Sequence, residues 1–214
     1  VKIANAVPVY VPLREDTNWS FDLEALERSI TPRSTLLMLT SPSNPTGTMM
    51  DRESLERLAE ICVKHDLVVI ADEAYERVLY DGNIHVSIAS LPGMWERTVT
   101  IQSFSKSYSM CGFRIGYIAA CKNLMRILIR SHQKIVLCAT SFAQDAALAA
   151  LQGQSDEISH MLTEFDKRRV LIYDTFVRLQ IPCNKPQAAF YVFPNVSCLG
   201  MDGDEFCNRF LDEY

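Results

Sequence analysis

The 214 residues are 48% hydrophobic and carry a formal net charge of −5, enough apolar material for one sizeable core and no electrostatic footprint for nucleic acid or an anionic membrane surface. No apolar run approaches the roughly 18 residues that span a bilayer, and no signal peptide opens the chain, so a cytoplasmic protein without membrane or nucleic-acid partners is expected. Seven cysteines without CxxC spacing suit reduced core thiols, and the four histidines form no i, i+4 pair, so no metal site is expected.

Residues Val1 to Leu13 read as a strand-like run. The chain lacks an initiator methionine, and Gly203 to Tyr214 reads as an amphipathic helix that stops short, so a fragment is expected. Thr35 to Thr40 and Leu67 to Ala71 are short apolar runs that predict buried strands. Between them Leu55, Leu58, Ala59 and Cys62 recur at helical spacing, with Asp51 and Glu53 at the positive helix end. This is a βαβ unit, and its two strands should run parallel. Thr98 to Gln102 predicts a third strand of the same sheet. Ile115 to Ala120 follows too soon for a helical crossover, which predicts an antiparallel neighbour.

Asn123 to Lys134, Ser141 to Leu151 and Asp156 to Leu179 read as helices, the last long enough to bridge two domains. Phe190 to Phe193 predicts a strand in a second, smaller unit. The expected division is 1–165 for a large domain, incomplete at its N-terminus, and 166–214 for the start of a small C-terminal domain.

Ligands of an open, mostly parallel sheet bind beyond the carboxyl ends of its strands. Polar groups gather there in three places: Ser41 to Gly47 (SPSNPTG), Asp72 to Tyr75 (DEAY) and Ser103 to Lys106 (SFSK). Taken singly, the first is also an ordinary turn, Asp72 a helix cap, and Lys106 and Arg114 solvated surface charges. Their expected convergence on one edge favours a site.

The stretch Ser103 to Gly116 (SFSKSYSMCGFRIG) resembles the lysine-attachment signature of the class I and II aminotransferases, which share the aspartate aminotransferase type of fold. SPSNPTG and ADEAY resemble the two motifs that precede that lysine, and Lys185 to Asn195 (KPQAAFYVFPN) resembles the start of the family's small domain. The likeness covers essentially the whole chain and lies nearest to the bacterial-type aspartate and aromatic branch. Cys111 and Phe113 stand where many members have Thr and Trp, and Ala188 where most have Gly.

The resemblance implies an α/β fold, a three-layer α-β-α sandwich with a mostly parallel sheet, followed by the start of a smaller α+β domain. It implies pyridoxal 5'-phosphate as cofactor, held as a Schiff base on Lys106, and transamination between an L-amino acid and a 2-oxo acid. In that reading Asp72 faces the pyridine nitrogen, Tyr75 and Asn44 face the ring's phenolic oxygen, and Ser103, Ser105 and Arg114 hold the phosphate. The family also implies a homodimer. Its ring-stacking aromatic residue and glycine-containing phosphate loop are expected before Val1, and its carboxylate-binding arginine after Tyr214. A carbon-sulfur β-lyase, an aminocyclopropane carboxylate synthase-like enzyme and a non-catalytic cofactor-sensing module stay open as alternatives.

Overall fold

The computed structural model describes residues 1–153 and 156–213. Helix α1 (Leu23–Ser29) leads into strand β1 (Leu36–Thr40), helix α2 (Arg52–Lys64), strand β2 (Val68–Asp72) and, after a long excursion, strand β3 (Thr98–Ser103). A single turn, α3 (Phe104–Ser107), and strand β4 (Gly116–Ala120) follow. The chain then continues through α4 (Lys122–Ile135), α5 (Ser141–Gln152), α6 (Asp156–Arg178) and α7 (Gly203–Glu213). The final residue of the expected terminal helix, Tyr214, lies outside the described residues.

The sheet has the order β1-β2-β3-β4, parallel across the first two pairs and antiparallel at the third. An α/β architecture with a mostly parallel sheet is therefore what the sequence encodes. The βαβ reading holds in detail. Asp51 caps α2 by accepting from the Ser54 amide at 2.7 Å, and Leu55, Leu58, Ala59 and Cys62 are all buried. They pack on Leu39, Val69 and Ala71, which share one face of the sheet because side chains alternate along a strand.

The opposite face is partly open. Leu36, Met38 and Ile118 point that way and are 46%, 61% and 40% exposed. Thus β1, expected to be buried, is buried on one side only. Among the described residues, no helix is long and apolar enough to cross a membrane.

Two expected strands do not form. After a short 3-10 turn at Lys2–Ala4, the N-terminal run continues as irregular chain with Val7 and Tyr10 more than four-fifths exposed. Its backbone finds no strand to pair with, and an unpaired strand gains nothing for its ordering. Residues 190–193 likewise join no ladder: Ala189, at φ 59°, turns the chain out of the extended region just before them. Isolated bridges remain at Leu79–Ala188 and Cys183–Pro194.

The asymmetry of the sheet gives a direct expectation. Leu58→Ala, in a fully packed position, should lower stability by about 3 kcal/mol, and Met38→Ala on the open face by less than about 1 kcal/mol. Chemical denaturation of both variants checks this, and equal losses would contradict the one-sided core.

Candidate active site

Parallel register sets Thr40, Asp72 and Ile101 side by side at the carboxyl ends of β1, β2 and β3. The loops that carry the chemistry leave from there. The Ser41 amide donates to the Asp72 carbonyl at 3.2 Å and the Glu73 amide to the Ile101 carbonyl at 3.0 Å, so the ladder runs one residue past the strands.

Asp72 and Glu73 are adjacent, so the pleat sends them to opposite sides. Glu73 is buried, 3% exposed, and fully occupied: Ser87 Oγ donates to it at 2.8 Å and His85 Nε2 lies 3.0 Å away. Gln102 Nε2 reaches it at 3.5 Å and bonds Glu76 at 2.9 Å. Such a carboxylate is tolerable in a core because partners replace its lost water. Asp72, on the other side, stays partly open, with its Oδ1 accepting from the Ala74 amide at 3.2 Å.

One turn on, Tyr75 is 5% exposed and its hydroxyl sits among polar groups from three segments. Burial first, then the Tyr191 hydroxyl and the charge of Asp72, push the phenol well above its usual value. The Asn44 side chain acts on the same phenol and pulls the other way. Asn44, Asp72 and Tyr75 thus lie close enough to act on one another. Lys106 reaches them across an aromatic bridge: its Nζ lies 5.4 Å from the centre of the Phe190 ring, which packs edge-on against Tyr75 at 5.4 Å. It is partly buried in the turn α3, where Ser103 accepts from the Ser105 amide at 3.2 Å.

Arg114 is placed differently. It is exposed, has φ 53°, and its guanidinium donates to the Cys111 carbonyl at 3.0 Å. Cys111 Sγ in turn donates to the Ser105 carbonyl at 3.1 Å, and Ser103 pairs with Gly116, so this loop stays beside α3. The Ser103 oxygen accepts at the cap, leaving its O–H to donate, and one guanidinium nitrogen of Arg114 donates to that carbonyl; neither holds the other.

Sequence reasoning did not single out Phe190 and Tyr191. They enter on residues 186–191, a segment tied to both site loops. The Gln187 and Ala188 amides donate to the Gly47 carbonyl at 2.8 and 2.9 Å, and the Ala189 amide donates to the Val78 carbonyl at 2.8 Å. Tyr80 Oη donates to the Ala189 carbonyl at 2.6 Å. Gly47, at φ 67°, is pressed so close that a Cβ would lie 3.0 Å from both Pro186 Cβ and the Tyr191 carbonyl.

Arg169 of α6 fastens this segment. Its buried guanidinium forks onto Asp81 at 2.8 and 2.8 Å, bonds Asp166 at 2.7 Å and the Pro186 carbonyl at 2.7 Å, and lies 4.4 Å from the Tyr80 ring centre.

The family model for aminotransferase class I and II matches residues 1–214. The chain is 36% identical over its whole length to the aspartate aminotransferase of Pyrococcus abyssi, of which it covers 55%, and 41% identical to that of Geobacillus stearothermophilus, of which it covers 56%. The crystal structure of the aromatic aminotransferase from Pyrococcus horikoshii superimposes with a TM-score of 0.93 at 36% identity, across 96% of this chain and 56% of that one. The chain therefore spans about half the length of the curated relatives it matches.

The Arg169 clasp makes a pH-dependent contribution with a definite sign. The hydrogen bond from Arg169, aided by Lys185, holds the Asp81 carboxyl well below the usual range, so its stabilisation is present above the unfolded value near about 4 and is lost as pH falls through the folded one. Asp81→Asn should cost about 1 kcal/mol at neutral pH, modest because Asp81 is half exposed, with the difference from wild type shrinking below about pH 4. Denaturation across pH checks it; a difference that grows in acid would contradict the pairing.

Proposed function

The chain belongs to the class I and II aminotransferase family, and on that premise we propose that the protein it comes from transfers an amino group between an L-amino acid and a 2-oxo acid. The observation that carries the reading is the meeting of an acid, a phenol, an amide and an amine at one sheet edge: Asp72, Tyr75, Asn44 and, across Phe190, Lys106.

These residues fit pyridoxal 5'-phosphate, the family's cofactor. When bound, it supplies an electron sink for the carbanion left when an amino acid loses its α-proton. Asp72 would hold a proton on the ring nitrogen through its negative charge, which its partly open position leaves available. The Tyr75 phenol and the Asn44 amide would hydrogen-bond the ring's phenolic oxygen. Lys106 would be the covalent anchor through its ε-amine and, once the substrate amine displaces it, the base that takes the proton from the substrate Cα and returns it to the cofactor's C4′ carbon. Ser103, Ser105 and Arg114 would hold the phosphate, Arg114 with the N–H donors that Cys111 leaves unused.

The relatives named above are aspartate and aromatic aminotransferases, which favours transamination over elimination, over cyclopropane formation and over a sensing module. Homodimeric assembly is part of the proposal, supported by the apolar side chains Ile127, Ile129, Phe142 and Leu148, which stand exposed along α4 and α5.

Borohydride reduction of the full-length protein with pyridoxal 5'-phosphate, followed by peptide mapping, tests the anchor. The pyridoxyl group should be found on Lys106, and Lys106→Ala should lose it together with roughly 10³-fold or more of the turnover. Labelling of another lysine would overturn the assignment.

A further inference from the structure

Tyr191 reaches Tyr75 from 116 positions away in the chain, and its hydroxyl lies 2.5 Å from the Tyr75 hydroxyl. The rings meet edge-on at 5.6 Å and 75°. Tyr191 is held in place on both sides: the bonds at Gln187, Ala188 and Ala189 fix the backbone before it, and the Phe190 ring, 5.0 Å away, packs beside it. The backbone of residues 186–191 is pressed against Gly47, and Tyr75 is buried.

A phenol carries a single hydrogen. In the function proposed above, Tyr75 gives its hydrogen to the ring oxygen of the bound cofactor. It then has none for Tyr191, so the contact between the two hydroxyls survives only with Tyr191 as donor and Tyr75 as acceptor. A hydroxyl that accepts one hydrogen bond becomes a stronger donor in the next, the more so where burial lowers the local dielectric.

We propose that Tyr191 is a positioning residue for the cofactor's electronics: its hydroxyl donates to Tyr75 and thereby strengthens the hydrogen bond that Tyr75 makes to the ring's phenolic oxygen. The inference rests on the function proposed above and extends it to a residue on the far side of α6 in the sequence. Charge on the ring oxygen is favoured when that bond is strong, so the proton shared between ring oxygen and lysine nitrogen leaves at lower pH.

The test is an absorbance titration of the full-length holoenzyme, without substrate. Tyr191→Phe keeps the ring and removes the hydroxyl; it should raise the pH midpoint of the lysine-bound chromophore by about half a unit. Tyr75→Phe should raise it further. In the Tyr75→Phe background, adding Tyr191→Phe should change nothing, because the effect passes through Tyr75. A midpoint unmoved by Tyr191→Phe, or a second shift of equal size in the Tyr75→Phe background, would overturn the inference and leave the proposed function standing. A wild-type protein that forms no lysine-bound chromophore with pyridoxal 5'-phosphate would overturn the proposed function, and this inference with it.

Discussion

Parallel register between β1, β2 and β3 is the constraint from which the rest of the molecule follows. Because Thr40 pairs with Asp72 and Asp72 with Ile101, three loops separated by some thirty residues each depart from one line. That line fixes where an amide, an acid and an amine can meet. The register is in turn held by burial on one face: a slip of β2 by one residue would turn Val69 and Ala71, both fully buried, away from α2. The packing of α2 therefore sets the geometry of groups it never touches.

The adjacent carboxylates divide two roles between them. Glu73 is spent on structure, held by His85, Ser87 and Gln102 on the helix-covered side, and this ties the residue after β2 to β3 and to the excursion between them. Asp72, one step earlier and on the opposite face, stays partly open with its carboxylate accepting from the Ala74 amide, which leaves it free for the role proposed above. A second clasp, Arg169 on Asp81 with Tyr80 beneath it, brings in residues 186–191 and with them Phe190 and Tyr191. The edge is thus built from sequence-local loops and closed by a distant one.

Much of the first part was legible in the sequence. The helical spacing of Leu55, Leu58, Ala59 and Cys62, the short apolar runs beside it and the abrupt arrival of Ile115 to Ala120 each report local physics, and each element formed where it was expected. The site loops followed from the sheet rule and the family likeness. Residues 190–193 resemble a strand because a run of aromatic and β-branched residues has strand composition, whereas a single left-handed residue, Ala189, sets their path. The run at Val1 to Leu13 had strand composition without a partner strand, and composition alone cannot supply one. Tyr191 and Arg169 left no local signal: a buried arginine in a charged helix and a tyrosine in an aromatic stretch acquire meaning only from partners 88 and 116 positions away.

The central claim is that one small ring is bracketed by Lys106 and Asp72. A crystal structure of the full-length protein with pyridoxal 5'-phosphate tests it most directly. The account predicts continuous density from Lys106 Nζ to the cofactor and an Asp72 carboxylate oxygen within hydrogen-bonding distance of the pyridine nitrogen. A cofactor bound at another lysine, or a ring nitrogen facing away from Asp72, would contradict it.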